Sequence, residues 1–246
     1  MNFLAQADTA SATRRAKMVA TSLLLALFAL QVKAEVVQPF TAKYSAKLDL
    51  LIDIPVTAER SLKQQSDGYW VFTSKVSSIV AKQTEQSIFS KIAGQLIPSQ
   101  YIFSRSVFGR SRNIEIQFDQ SGSQITTIAK DKPWLQPWES KVQDRLSYQL
   151  QLREDVKAGR EELSYRIADG GQIKTYRFIK TGFETLTTPA GEFKCLRLQL
   201  DRAGDQPQTL IWMAPELDYL TVRLLRIDNQ GREHILNLKE YNFEPK

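Results

Sequence analysis

Along most of this chain apolar and polar residues alternate with a period of two, and that pattern restricts the fold more than any other feature. In "RNIEIQFD", residues 112–119, Ile114, Ile116 and Phe118 share one face while Asn113, Glu115, Gln117 and Asp119 take the other. In "FTAKYSAKLDL", residues 40–50, Phe40, Ala42, Tyr44, Ala46, Leu48 and Leu50 fall on one face. Successive strand side chains point to opposite faces, so each run reads as a half-buried strand with one wet side. Similar runs occupy 56–64, 69–77, 83–93, 95–104, 124–130, 162–168, 173–186, 192–201, 208–213, 219–228 and 233–243.

The connections are short and carry hairpin chemistry. "SDG" at 66–68, "SG" at 121–122, "DGG" at 169–171 and "DNQG" at 228–231 supply residues that tolerate positive φ. In "TPAG", 188–191, Pro189 suits the second turn position and Gly191 the left-handed one. Neighbouring strands therefore pair in sequence as an antiparallel meander. About a dozen strands seldom stay flat. The expected fold is all-β: a strongly curved sheet or barrel with one main α-helix packed in or across it.

That helix lies in "PWLQPWESKVQDRLSYQLQLREDVKAG", residues 133–159. Ser140 and Gln143 fit a capping box and Gly159 ends the pattern, which predicts a helix near 141–157. At about 100° per residue, Val142, Leu146, Tyr148, Leu150, Leu152 and Val156 cover an arc of roughly 200°. One flat surface needs a narrower stripe, so the helix is wrapped by the sheet or plugs its mouth. Arg145, Gln149 and Arg153 project within the same arc. A buried arginine needs an acidic partner, whether a carboxylate or a ligand's phosphate, unless its stem alone is buried. Ahead of the helix, Pro133 and Pro137 stiffen a loop carrying Trp134 and Trp138, which lines a cavity mouth or caps the core below.

Residues 1–34 read as a cleaved secretory signal peptide. Arg14, Arg15 and Lys17 precede an apolar run, 18–30, and small Ala34 precedes a cut at Glu35. The run is shorter than the ~20 residues of a membrane span. Cleavage removes Arg14, Arg15, Lys17, Lys33 and Asp8, so the formal charge of +6 falls to +3. That excess is too small to imply nucleic acid. About 212 residues remain, enough for a single antiparallel β domain over 35–246 with no further transmembrane span.

Several chemistries find no foothold in the residues. Cys195 is the single cysteine and His234 the single histidine, which leaves a zinc or copper site without its usual ligands. No nucleophile elbow, calcium loop or phosphate loop appears. No cofactor is expected. "SRSVFGRSRN", 104–113, clusters Arg105, Arg110 and Arg112 around Phe108 and suits acidic headgroups or a solvated hairpin tip.

Three stretches resemble an exported bacterial family, domain of unknown function 3108. "DRLSYQLQLR", 144–153, is similar to its helix signature; "TTPAGEFKCLRLQL", 187–200, to its hairpin; "LIWMAPELDYLTVRL", 210–224, to its tryptophan strand and the strand that follows. The family usually carries proline where Thr221 precedes Val222 here. The resemblance implies an antiparallel β fold and a periplasmic or envelope location. It brings no established activity and no catalytic residues.

The resulting expectation is a non-enzymatic periplasmic protein that binds an apolar or amphipathic, lipid-like ligand. Trp134, Trp138, Arg145, Tyr148 and Arg153 are its candidate ligand-binding residues. The alternative is a structural or assembly factor that binds an envelope protein; a hydrolase using Cys195, His234 or a carboxylate pair ranks below both.

Overall fold

The structure, a computed structural model, describes residues 38–48, 54–130, 132–201 and 208–244. The proposed signal peptide at 1–34, and Leu50, lie outside the described residues. Eight strands precede the helix: β1 (Phe40–Leu48), β2 (Ile54–Gln64), β3 (Trp70–Ser77), β4 (Ala81–Ile92), β5 (Gln95–Val107), β6 (Arg110–Asp119), β7 (Gln124–Ala129) and β8 (Lys132–Pro137). After α1 (Ser147–Lys157) come β9 (Leu163–Asp169), β10 (Gln172–Thr188), β11 (Gly191–Asp201), β12 (Gln208–Ala214), β13 (Leu220–Ile227) and β14 (Glu233–Phe243).

Within each half every strand pairs antiparallel with its sequence neighbour, and β1 pairs with β14 to join the halves. The order runs from β8 through β1 and β14 to β9. The expected meander is present. It is curled but not closed, because β8 and β9 are edges that do not pair. The chain between these two edges is the helical segment, so α1 sits at the seam.

Curling is visible in what α1 touches. Leu152 and Val156 belong to a core cluster with Leu163, Tyr165 and Ile167 of β9, Leu198 of β11 and Ile211 of β12. The opposite helix face meets β4 and β5: Gln151 bonds Leu96 and Gly94, and Lys91 pairs with Glu154 at 2.7 Å. The guanidinium of Arg153 lies 4.9 Å from the ring centroid of Phe40 in β1 and 5.9 Å from that of Phe243 in β14. Only a sheet wrapped around the helix brings these strands to one rod. Burial of Leu146, Leu150, Leu152 and Val156 stabilises the arrangement by about 1.5–3 kcal/mol each.

The polar side of α1 departs from expectation. Gln151, Glu154 and Asp155 lie outside the apolar arc, yet they are buried too. Sheet groups replace water for them: Tyr165 donates to Asp155 at 2.9 Å and Lys91 to Glu154 at 2.7 Å.

The helix begins at Ser147, later than the Ser140/Gln143 capping box places it. Gln143 is not a cap. It is buried, its side chain donates to Leu96 O at 2.8 Å, and its backbone bridges β9 through Arg166 O and Ala168 N–H. Asp144 shapes the turn instead. Its Oδ1 accepts the N–H groups of Leu146 and Ser147, both at 2.7 Å, and its own N–H donates to Ser147 Oγ at 3.0 Å. Docking against β9 thus outweighs local capping up to residue 143.

The proline-bearing "loop" is also corrected. Residues 132–137 form edge strand β8, with Pro133 opposite Ile128 and Pro137 opposite Gln124. The Trp138 N–H donates to Ser123 O at 2.9 Å. Strand alternation therefore aims the amides of 134 and 136 at β7 and the positions 133, 135 and 137 outward. Both prolines fall where a missing N–H costs the ladder nothing, as edge prolines do.

Candidate functional site

In a meander, alternate hairpins lie at the same end. The turns after β3, β5, β7, β9 and β13 share one end with the start of α1. The turns after β4, β6, β10 and β12 share the other with its C-terminus.

A cleft of about 360 Å³ opens beside the first turn of α1. The turn into α1 contributes Arg145 and the helix Tyr148 and Gln149; β4 contributes Glu85; β9 and β10 contribute Asp169, Lys174 and Tyr176; Leu200, Thr209, Leu224 and Arg226 come from β11 to β13. Its volume falls within the ordinary range for small-molecule sites, about 300–1,000 Å³.

The cleft is more polar than a lipid tunnel. Asp169 pairs with Lys174 at 2.7 Å and with Arg145 at 3.5 Å. Glu85 accepts the Tyr101 hydroxyl at 2.6 Å and the Gln83 amide at 2.7 Å. Arg226 meets no carboxylate among the described residues. Burial works to lower the Arg145 pKa, but the field of Tyr101, Asp169 and Glu85 outweighs it and raises the group. Tyr148 forms the apolar floor, 5.5 Å from Tyr176 edge-on and 6.1 Å from Phe178 in a stack, and burial above all pushes its hydroxyl pKa up.

Of the five candidate ligand residues, the fold brings Arg145 and Tyr148 together. Trp134 lies against Gly171 in the β9–β10 turn, where an added Cβ would meet its ring at 3.5 Å. Trp138 faces a separate hollow of about 220 Å³ at the other end, with Leu96, Pro98 and Val142. Arg153 is also at that other end. Its Nε donates to Asp218 O at 2.8 Å and its Nη2 to Asp218 Oδ2 at 3.0 Å. Arg153 is therefore a buried residue beside a wall carboxylate and away from the cleft, and its buried Nη1 meets no hydrogen-bond partner among the described residues. Arg105, Arg110 and Arg112 stay together, exposed near the β5–β6 turn, with Arg105 directly opposite Arg112.

Sequence reasoning missed Glu85, Asp169, Lys174 and Arg226. Asp169 and Lys174 flank one hairpin, while Glu85 and Arg226 come from distant strands that only the register of the sheet brings to them. The sole hint was Asp169, at the head of the "DGG" turn.

The other candidate groups sit in structural settings. Cys195 is buried, its Sγ donates to Phe193 O at 3.6 Å, and burial pushes the thiol up to about 11. It stays protonated near neutrality. His234 lies 3.4 Å from Asp228 at the β13–β14 turn. Among the described residues no three His, Cys, Asp or Glu side chains form a metal-holding group, and no helix is long and apolar enough to cross a membrane.

Residues 52–233 match the family described as Protein of unknown function (DUF3108). The chain belongs to this family. No curated protein matches the sequence. The fold is similar to a beta-barrel-like protein of domain of unknown function DUF1849 from Brucella abortus, with TM-score 0.56 and 9% identity over 85% of this chain and 99% of that one. A protein with a YmcC-like fold from Bacteroides fragilis aligns over 84% of this chain and 96% of its own at TM-score 0.31 and 9% identity. The Brucella likeness bears on the fold alone.

The stretches that resemble the family largely build architecture. Asp144 and Ser147 close the turn into α1, and Arg153 joins that stretch to Asp218 in the third. The far half of the β10–β11 hairpin lies against β14, where the Ala190 N–H donates to Leu238 O at 3.2 Å and Phe193 meets Tyr241 edge-on at 6.5 Å.

Proposed function

We propose that this protein is an exported, non-enzymatic binding protein whose cleft takes an anionic amphiphile. The acidic headgroup pairs with Arg145, Lys174 and Arg226, and a short apolar stem lies against Tyr148, Leu200 and Leu224. The reading rests on one observation: cations from the turn into α1, from β10 and from β13 converge on a cleft with an aromatic and leucine wall. Arg145 and Lys174 share Asp169, so two cations divide one carboxylate and Arg226, with no carboxylate partner among the described residues, is the first to meet an incoming anion.

The cleft volume suits a headgroup and a few methylenes rather than a whole diacyl lipid. The interior beyond it is filled by α1. The leader at 1–34 fits an exported protein working in the periplasm, where such amphiphiles occur.

Titration calorimetry with octyl phosphate and with octyl glucoside tests the reading. Octyl phosphate binds with one-to-one stoichiometry, octyl glucoside at least tenfold more weakly, and Arg226→Gln narrows the gap. Equal affinities, or no effect of Arg226→Gln, count against it. Fractionation with N-terminal sequencing tests the location; a cytoplasmic chain that keeps residues 1–34 removes that part.

A further inference from the structure

A second surface lies at the cleft end of the sheet, outside the cleft lining. Two neighbouring hairpin tips project apolar side chains into solvent. Ile79, in the β3–β4 turn, is 85% exposed and Phe108, in the β5–β6 turn, is 75% exposed. The tips are tied together, since the Phe108 N–H donates to Val80 O at 3.0 Å. Nothing about a solvated turn calls for a phenylalanine or an isoleucine at its apex. Phe108, at φ 47°, and Gly109, at φ 78°, both take the left-handed conformation of this two-residue turn, a backbone that a phenylalanine adopts only at a cost.

Charge around the tips is of one sign. Residues 74–84 and 103–114 contain no aspartate or glutamate. Lys82, Arg105, Arg110 and Arg112 are exposed, and none meets a carboxylate among the described residues. Arg105 stands directly across the ladder from Arg112. Like charges opposite one another destabilise a β ladder, so the fold gains nothing from this pair. A basic rim around protruding apolar side chains matches a bilayer interface with anionic headgroups. There the apolar tips enter the acyl boundary while the cations stay among the phosphates.

We infer that the paired β3–β4 and β5–β6 tips dock this protein on an anionic lipid surface, Ile79 and Phe108 inserting and Arg105, Arg110 and Arg112 holding phosphates. The inference is independent of the cleft reading, but the geometry connects them. Glu85 of the cleft lies on β4 four residues from Ala81 at the tip, about 13 Å along the strand. Docking would bring the cleft end to the membrane.

The test uses vesicles of phosphatidylcholine with and without phosphatidylglycerol, and the exported chain from Glu35 throughout, so that the basic and apolar residues 1–34 add no vesicle affinity of their own. Phe108→Cys is labelled with an environment-sensitive fluorophore; Cys195, buried and protonated, does not compete. Ile92→Cys, at the opposite end of β4 and 60% exposed, is the control. With anionic vesicles the label at 108 shifts to the blue and that at 92 does not. Converting Arg105, Arg110 and Arg112 to Gln lowers vesicle affinity by about two orders of magnitude. Ile79→Ser with Phe108→Ser abolishes sedimentation with vesicles at physiological salt. Equal label responses at 108 and 92, or arginine variants that bind as the parent does, overturn the inference. So does equal binding to vesicles lacking phosphatidylglycerol. A defect in the octyl phosphate titration alone would strike the cleft reading and leave this one standing.

Discussion

Gln151 of α1 accepts the backbone N–H of Leu96 on its Oε1 at 2.7 Å, and its Nε2 donates to Gly94 O at 3.2 Å. A helix side chain thus supplies both halves of a peptide-like pairing at the start of β5. The same Nε2 lies 2.9 Å from Asp155 Oδ1, so the amide ties the helix to its own next turn as well. Leu96 is fully buried, and its N–H has no water to turn to.

Removing that amide orphans a buried donor. Gln151→Leu should destabilise by about 1–3 kcal/mol, the desolvation cost of an unsatisfied buried group. Gln151→Glu keeps an acceptor for Leu96 but loses the donor to Gly94 and places a charge near Asp155. Urea midpoints rank the parent above both variants. A Gln151→Leu variant as stable as the parent would refute this role.

Asp144 gives a pH-dependent signature. Burial first, opposed by hydrogen bonds from Ser87, Ser147 and Leu146, raises its carboxyl from the ordinary 3.8 to about 6. The folded chain therefore holds this proton more tightly than the unfolded one. Between about pH 4 and pH 6 the unfolded state binds fewer protons, so this group's contribution to stability falls as pH rises. Asp144→Asn keeps Oδ1 as acceptor for the two N–H groups and cannot titrate. Relative to the parent it should gain on the order of 2–3 kcal/mol between pH 4 and pH 7. Asp144→Ala loses the acceptor at both pH values and costs about 1–2 kcal/mol at pH 4. Denaturation at the two pH values decides; an Asn variant with the parent's pH profile sinks the assignment.

Arg153 and Asp218 should respond asymmetrically. Burial pulls the guanidinium pKa down, while Asp218 and Glu154 pull it back up. Asp218 also accepts Lys157 at 2.6 Å and holds a left-handed backbone with φ 54°. Asp218→Ala leaves a buried charge without its carboxylate and strains the turn, costing about 3–5 kcal/mol. Arg153→Met removes the charge and keeps an apolar stem beside Phe40 and Phe243, so it costs far less. Thermal unfolding of both variants is the measurement, and equal losses would contradict a buried pair.

These residues show what was legible in the chain. The period-two runs disclosed thirteen of the fourteen strands among the described residues, because each buries one face and wets the other. β8 escaped because it is an edge whose side chains are mostly exposed and whose prolines imitate a loop. The wide apolar arc foretold a wrapped helix, yet not the burial of Gln151, Glu154 and Asp155. Their polarity reads as a solvated face until the sheet's own polar groups are known. Arg153 was read as meeting a carboxylate or a ligand's phosphate unless its stem alone was buried; its head is buried and meets Asp218. The cleft was half visible through Arg145 and Tyr148. Glu85 and Arg226 were hidden because strand register, not sequence spacing, brings them to the Asp169–Lys174 hairpin.

The seam offers the last prediction. β8 and β9 are the two edges, and an open edge invites pairing with another chain. On β8 the outward positions 133 and 137 are prolines, which have no N–H to offer a new strand. The chain spans the gap with side chains and one bridge instead: Arg166 pairs with Glu139 at 2.8 Å and Gln143 bridges Ile167. Pro133→Thr with Pro137→Thr restores two outward donors on a strand of high β propensity. The ladder to β7 stays intact, because those amides point away from it. The variant should keep its far-UV spectrum and form larger, concentration-dependent species than the parent in sedimentation velocity. If it sediments as the parent does at every concentration, the prolines do not protect this edge.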